Sequence, residues 1–95
     1  REPVPEVAGL PCISRFYGLS IYMYYRDHLP PHIHVRYAGG AAQFELDTFS
    51  LMSGELPARA VRLVQEWGAR HRAELTANWE RVRRHVPPRP VAPLE

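Results

Sequence analysis

Two runs of alternating residues, HIHVRY at 32–37 and AAQFELD at 41–47, flank Gly39-Gly40 and constrain the fold more than any other stretch of the chain. Two adjacent glycines accept the positive φ angles of a type I′ turn, so the spacing predicts an antiparallel hairpin. With Gly39 and Gly40 as the loop, Ala38 faces Ala41. Counting back pairs Tyr37 with Ala42, Arg36 with Gln43, Val35 with Phe44, His34 with Glu45, Ile33 with Leu46 and His32 with Asp47. Side chains alternate across a sheet. Ile33, Val35, Tyr37, Ala42, Phe44 and Leu46 then share one face, and His32, His34, Arg36, Gln43, Glu45 and Asp47 the other. A slip of one residue would mix the two sets.

Upstream, Ile13, Tyr17, Leu19, Ile21, Met23 and Tyr25 also fall at alternate positions, which reads as a strand over about 12–27 with a bulge or bend at Gly18. Pro30 and Pro31 cannot donate to a ladder, so the chain turns between this strand and the hairpin. After a loop of about 48–55, with Ser53 as a cap, Pro57 suits the first turn of a helix. Leu56, Ala60, Leu63, Val64 and Trp67, then Leu75, Trp79, Val82 and Val86, recur at helical spacing. Two helices are expected, about 57–70 and 73–85, or one bent helix. The expected fold is α+β: a three-stranded antiparallel meander with a Gly-Gly hairpin, packed on one or two C-terminal helices, with both tryptophans in the core. Residues 1–11, rich in proline, read as an irregular extension, 12–86 as a single domain, and 87–95 as a proline-rich tail.

A chain of 95 residues supports one modest core, and no apolar run approaches the ~20 residues of a membrane-spanning helix. Cys12 has no partner for an internal disulfide, which makes a cytoplasmic location the default expectation, without membrane association. All twelve basic residues are arginine, and six of them lie between 70 and 89 against only Glu74 and Glu80, so that end of the chain is positive. A short sheet leaves an exposed strand edge, which favours a homodimer.

Chemistry concentrates at Asp27, His28, His32 and His34. Imidazoles two apart on a strand project from one face, and the hairpin pairing sets a carboxylate opposite each. The simplest use is cross-strand pairing on a solvated face, each pair contributing ~0.2–1 kcal/mol. A second is a divalent metal such as zinc held by His28, His32 and His34, with Asp47 or Glu45 as a further ligand or as the acceptor that orients a ring. A third is acid–base catalysis by Asp27, His28, His32 and His34, as in metal-free RNA cleavage. Arg26 and Arg36 would then neutralise phosphate, and Tyr22 and Tyr24 would offer stacking surfaces. Arg81 and Arg84, with their helical neighbours, make a second candidate surface for phosphate or an acidic partner, although such a run also complements a helix C-terminus.

ISRFYG at 13–18, DHLPPHIHVRY at 27–37, GELPARA at 54–60, EW at 66–67, HRAEL at 71–75 and NW at 78–79 together resemble a prokaryotic family grouped as domain of unknown function 4160. The likeness spans 11–80 and covers Asp27, His28, Pro30, Pro31, His32 and His34 without a break, leaving the residues before Pro11 as an extension. The resemblance implies no activity. It implies a small partner protein, in a unit similar to toxin–antitoxin pairs, and an RNA or DNA target. The first functional expectation is therefore a small cytoplasmic binding module acting with a partner protein. The alternative is an RNA-cleaving or metal-dependent hydrolytic enzyme built on the histidine cluster.

Overall fold

The computed structural model describes residues 11–25 and 27–95. Most of the extension expected at 1–11, and Arg26 of the candidate binding surface, lie outside the described residues. The order of elements is β1 (Cys12–Phe16), β2 (Leu19–Tyr22), β3 (His32–Tyr37), β4 (Gly40–Glu45), β5 (Leu51–Gly54), α1 (Ala58–Arg70) and α2 (Arg72–Arg83). The strands form one antiparallel meander in the order β1-β2-β3-β4-β5. The α+β class and the two C-terminal helices agree with the sequence. The sheet, however, has five strands rather than three.

One extra strand comes from Gly18. Tyr17 at φ 49° and Gly18 at φ 82° form a two-residue reversal, so Phe16 pairs with Leu19 and the expected single strand becomes the hairpin β1–β2. The bulge or bend read at Gly18 is a full turn. The other extra strand is β5, inside the segment read as a loop. Its residues are exposed or only half-buried, so no apolar period marks it in the sequence. Ser53 belongs to β5 and caps nothing; Pro57 precedes α1 without a side-chain cap.

The β3–β4 hairpin also turns one residue earlier than the glycine pair suggests. Ala38 at φ 48° and Gly39 at φ 83° are its loop residues, while Gly40 opens β4 opposite Tyr37. Val35 therefore faces Ala42, Ile33 faces Phe44, His34 faces Gln43 and His32 faces Glu45. Every partner has moved by two, which keeps the side-chain parity. The apolar face was thus read correctly from the wrong pairing.

Ile21, Ile33, Val35, Ala42 and Phe44 pack from the sheet against Ala60, Val64, Trp67, Leu75, Trp79 and Val82 of the helices. Gly68 of α1 lies against the Phe49 ring, where a Cβ would collide with it. The two helices meet at His71, whose backbone leaves the helical region at φ −122°, ψ 24°. Val86 does not join the core: α2 ends at Arg83 and Val86 is exposed. The proline-rich tail leaves the helix and then returns across β1, with Val91 N–H donating to Ile13 O at 2.8 Å and Trp67 Nε1–H to Ala92 O at 2.8 Å.

Candidate functional site

The corner between β2 and β3, which contains a cis Leu29–Pro30 peptide, carries Asp27 back over the first residues of β3. Its Oδ2 lies 2.6 Å from His34 Nε2 and 2.9 Å from His32 Nε2. Two imidazoles therefore converge on one carboxylate oxygen. The carboxylates expected opposite the histidines do not supply this contact. Gln43, not Glu45, faces His34, and Glu45, not Asp47, faces His32. Asp47 is exposed after β4 and lines a separate cleft with Arg72 and Trp79. Its backbone oxygen and that of Leu46 accept from Arg72.

His32 departs most from expectation. It was placed on a solvated face and is fully buried, with 0% exposure. The Trp79 ring lies 5.4 Å from its ring centre, and His28 stacks over it at 4.7 Å. His32 Nδ1 is 2.7 Å from Pro30 O. A carbonyl only accepts, so Nδ1 donates, and a neutral ring then presents a lone pair at Nε2. That Nε2 is close to Asp27 but makes no aligned hydrogen bond.

His34 is less enclosed. Tyr24 stacks on its ring at 3.8 Å with 9° between planes, which fixes the ring's orientation. Burial pushes the His34 pKa down; the bond to Asp27 pulls the other way without cancelling it, and the group stays below 6.5. At neutral pH His34 is therefore uncharged, with Nε2–H donating to Asp27. Burial would raise the Asp27 pKa, yet the His34 hydrogen bond, the His28 backbone amide at 2.9 Å and the adjacent imidazoles together hold it below 3.8. Asp27 is ionised at neutral pH. His28 itself is exposed, and its Nε2 stands 3.7 Å from Asp27 Oδ1, on the other oxygen.

The cluster opens onto the sheet face not covered by the helices. One cross-strand row on this face runs Arg15, Ser20, Arg36, Ala41, and the next runs Tyr22, His34, Gln43, Ser53. The Arg36 guanidinium lies over the Tyr22 ring at 5.6 Å. Tyr24, His34, Arg36, Gln43 and Ser53 line a shallow concavity of about 140 Å³ there. Arg15 was missed by sequence reasoning; only the β1–β2 hairpin, hidden at Gly18, brings it into the row of Arg36, with Ser20 between them. Of the helical candidates, Arg81 is half-buried and bonded to Asn78 Oδ1 at 2.8 Å, and Arg84 leans on its own helix. Neither lines this concavity.

Fold and site define a class: small α+β proteins with a five-stranded antiparallel meander on two helices and an Asp-His-His cluster at a proline corner. The chain belongs to the family described as Domain of unknown function (DUF4160), whose model matches residues 18–80. No curated protein and no solved structure matches it.

Proposed function

We propose that the protein is a small binding module that takes a single strand of nucleic acid on the open face of its sheet and works with a partner protein. The observation that carries this reading is the pair of rows Arg15–Ser20–Arg36 and Tyr22–His34–Gln43, which contain two guanidinium groups, a tyrosine and an imidazole and no carboxylate. Asp27 reaches this face at His34, and Glu45 comes at the end of the sheet opposite His32. Bases stack on aromatic faces for ~1–3 kcal/mol each, and arginines beside them meet phosphates in a salt-dependent way. A duplex has no unstacked bases to offer such a face. The partner-protein part of the proposal draws on β5, an edge strand among the described residues, to which an added strand could pair.

Fluorescence anisotropy with a labelled single-stranded RNA and its DNA counterpart tests the reading. Binding should weaken as salt rises, should weaken further in Arg36→Ala and Tyr22→Ala, and should be unaffected by Arg84→Ala, just past the end of α2. A single strand that binds the two face variants as well as it binds the parent protein would sink the proposal.

A further inference from the structure

The same corner carries a second inference, which does not depend on nucleic-acid binding. We propose that His32 Nε2, His34 Nε2 and Asp27 Oδ2 form a three-ligand site for a divalent transition-metal ion of the zinc or iron(II) class.

The three ligand atoms lie within 4.8 Å of one another. Convergence alone would be weak, since a carboxylate between two imidazoles is also an ordinary hydrogen-bonded arrangement. His32 adds a second, independent observation. Its Nδ1–H is committed to Pro30 O at 2.7 Å, and its Nε2 faces the Asp27 oxygen at 2.9 Å, fully buried and without an aligned hydrogen bond. Two electron-rich atoms held at that distance away from water repel unless a cation lies between them. A proton on the ring can fill this role, and so can a metal ion. A backbone carbonyl on the far nitrogen is also the arrangement that presets a histidine for metal, because it fixes both the tautomer and the ring orientation.

The donor set selects the ion. Two imidazoles and one carboxylate suit zinc, iron, cobalt or nickel and not calcium or magnesium, which take oxygen. Bonds of ~2.0–2.1 Å in a tetrahedral arrangement place ligand atoms ~3.3 Å apart. The Asp27 contacts at 2.6 and 2.9 Å would therefore open by about 0.7 and 0.4 Å, and the imidazole nitrogens, within 4.8 Å of each other, would draw together. His34 now donates Nε2–H to Asp27, so binding must move its ring proton to Nδ1 while the His32 proton stays in place. Three protein ligands leave at least one coordination position for water, as in hydrolytic and oxygen-activating centres. The set differs from the one read in the sequence: Asp27 replaces Asp47, and His28 stands outside.

Isothermal titration of the metal-free full chain with Zn(II) should give one equivalent per chain, and Co(II) should give visible d–d absorption. Asp27→Asn and His34→Gln, both at partly accessible positions, should weaken Zn(II) by more than about tenfold. Asp47→Asn and His28→Ala should not. Imidazole nitrogen shifts of the unmodified protein, read by NMR, give a test that needs no variant. On adding Zn(II), the Nε2 signals of His32 and His34 should shift together, and His34 should change tautomer. Absence of saturable Zn(II) and Co(II) binding overturns the proposal. So does binding that survives both ligand substitutions in folded protein, or Zn(II) shifts confined to His28, His71 or His85.

Discussion

The Asp27–His34 contact and the His71–Glu74 contact have the same separation, 2.6 Å, and little else in common. His71 and Glu74 are three residues apart at the start of α2, with side chains 17% and 55% exposed, so the carboxylate stands in water. Water screens such a pair, and helical geometry would bring it together in any fold. Asp27 and His34 are seven residues apart across a proline corner, with side chains only 10% and 14% exposed, and the same oxygen also meets the fully buried His32. A short distance therefore means different things at the two places. At the helix start it reports local geometry. At the corner it reports that the fold holds an anion and two imidazoles together out of water, where lost partners are costly.

The sharpest way to separate them is to remove one group from each. His32→Ala should destabilise the protein by about 2–4 kcal/mol, since it empties a packed site beside Trp79 and leaves Pro30 O without its donor. His71→Gln, at the helix junction, should cost less than about 1 kcal/mol. Urea denaturation followed by tryptophan fluorescence measures both. If the two losses are equal, the corner is no more enclosed in solution than the helix start.

The contrast also marks what was legible in the sequence. Alternation identified the apolar face of β3 and β4 even though the pairing was two residues out, because a shift of two leaves every side chain on its face. The same shift carried the carboxylates with it, so Glu45 and Asp47 were assigned to the wrong partners. Helical periodicity gave Trp67, Leu75, Trp79 and Val82 as core, and these are buried. The second turn at Tyr17-Gly18 was masked because Ile13, Tyr17, Leu19 and Ile21 share odd positions in the sequence, whereas in the fold Phe16 is buried and Tyr17 is exposed, so the parity changes at the turn. β5 offered no signal, since a strand without a buried face has no hydrophobic period. Asp27, His32 and His34 were all named, but their meeting depends on how a proline corner folds back. No spacing rule encodes that.

Acid should distinguish the two contacts next. At the corner His34 and Asp27 are each held below their ordinary pKa, so the sign is the same for both. His34 is held below 6.5, so the unfolded chain takes up that proton more readily, and stability present above 6.5 is lost as the pH falls below that value towards the folded pKa. Asp27 is held below 3.8, so its contribution is present above 3.8 and is lost as the pH falls through the folded value. Urea midpoints measured with a chelator present should therefore decline in two stages on acidification. His34→Gln should remove the upper stage and leave a lower one. An upper stage of unchanged size in that variant would place its origin outside His34 and would deny the corner its role.

The smallest effect belongs to the helix start. Glu74→Gln removes a screened partner and should cost about 0.3 kcal/mol or less. Raising the salt concentration should shrink that difference further, because exposed charges beyond ~8–10 Å are already screened at physiological ionic strength and closer exposed pairs follow as salt rises. Asp27→Asn keeps the side-chain volume but removes the charge that His34 meets, so its larger loss should hardly respond to salt. The informative quantity is the difference between the two salt slopes, from melts of each variant against the parent protein. A slope for Asp27→Asn as steep as that for Glu74→Gln would mean that water reaches the corner carboxylate, and both contacts would then be surface pairs of the same kind.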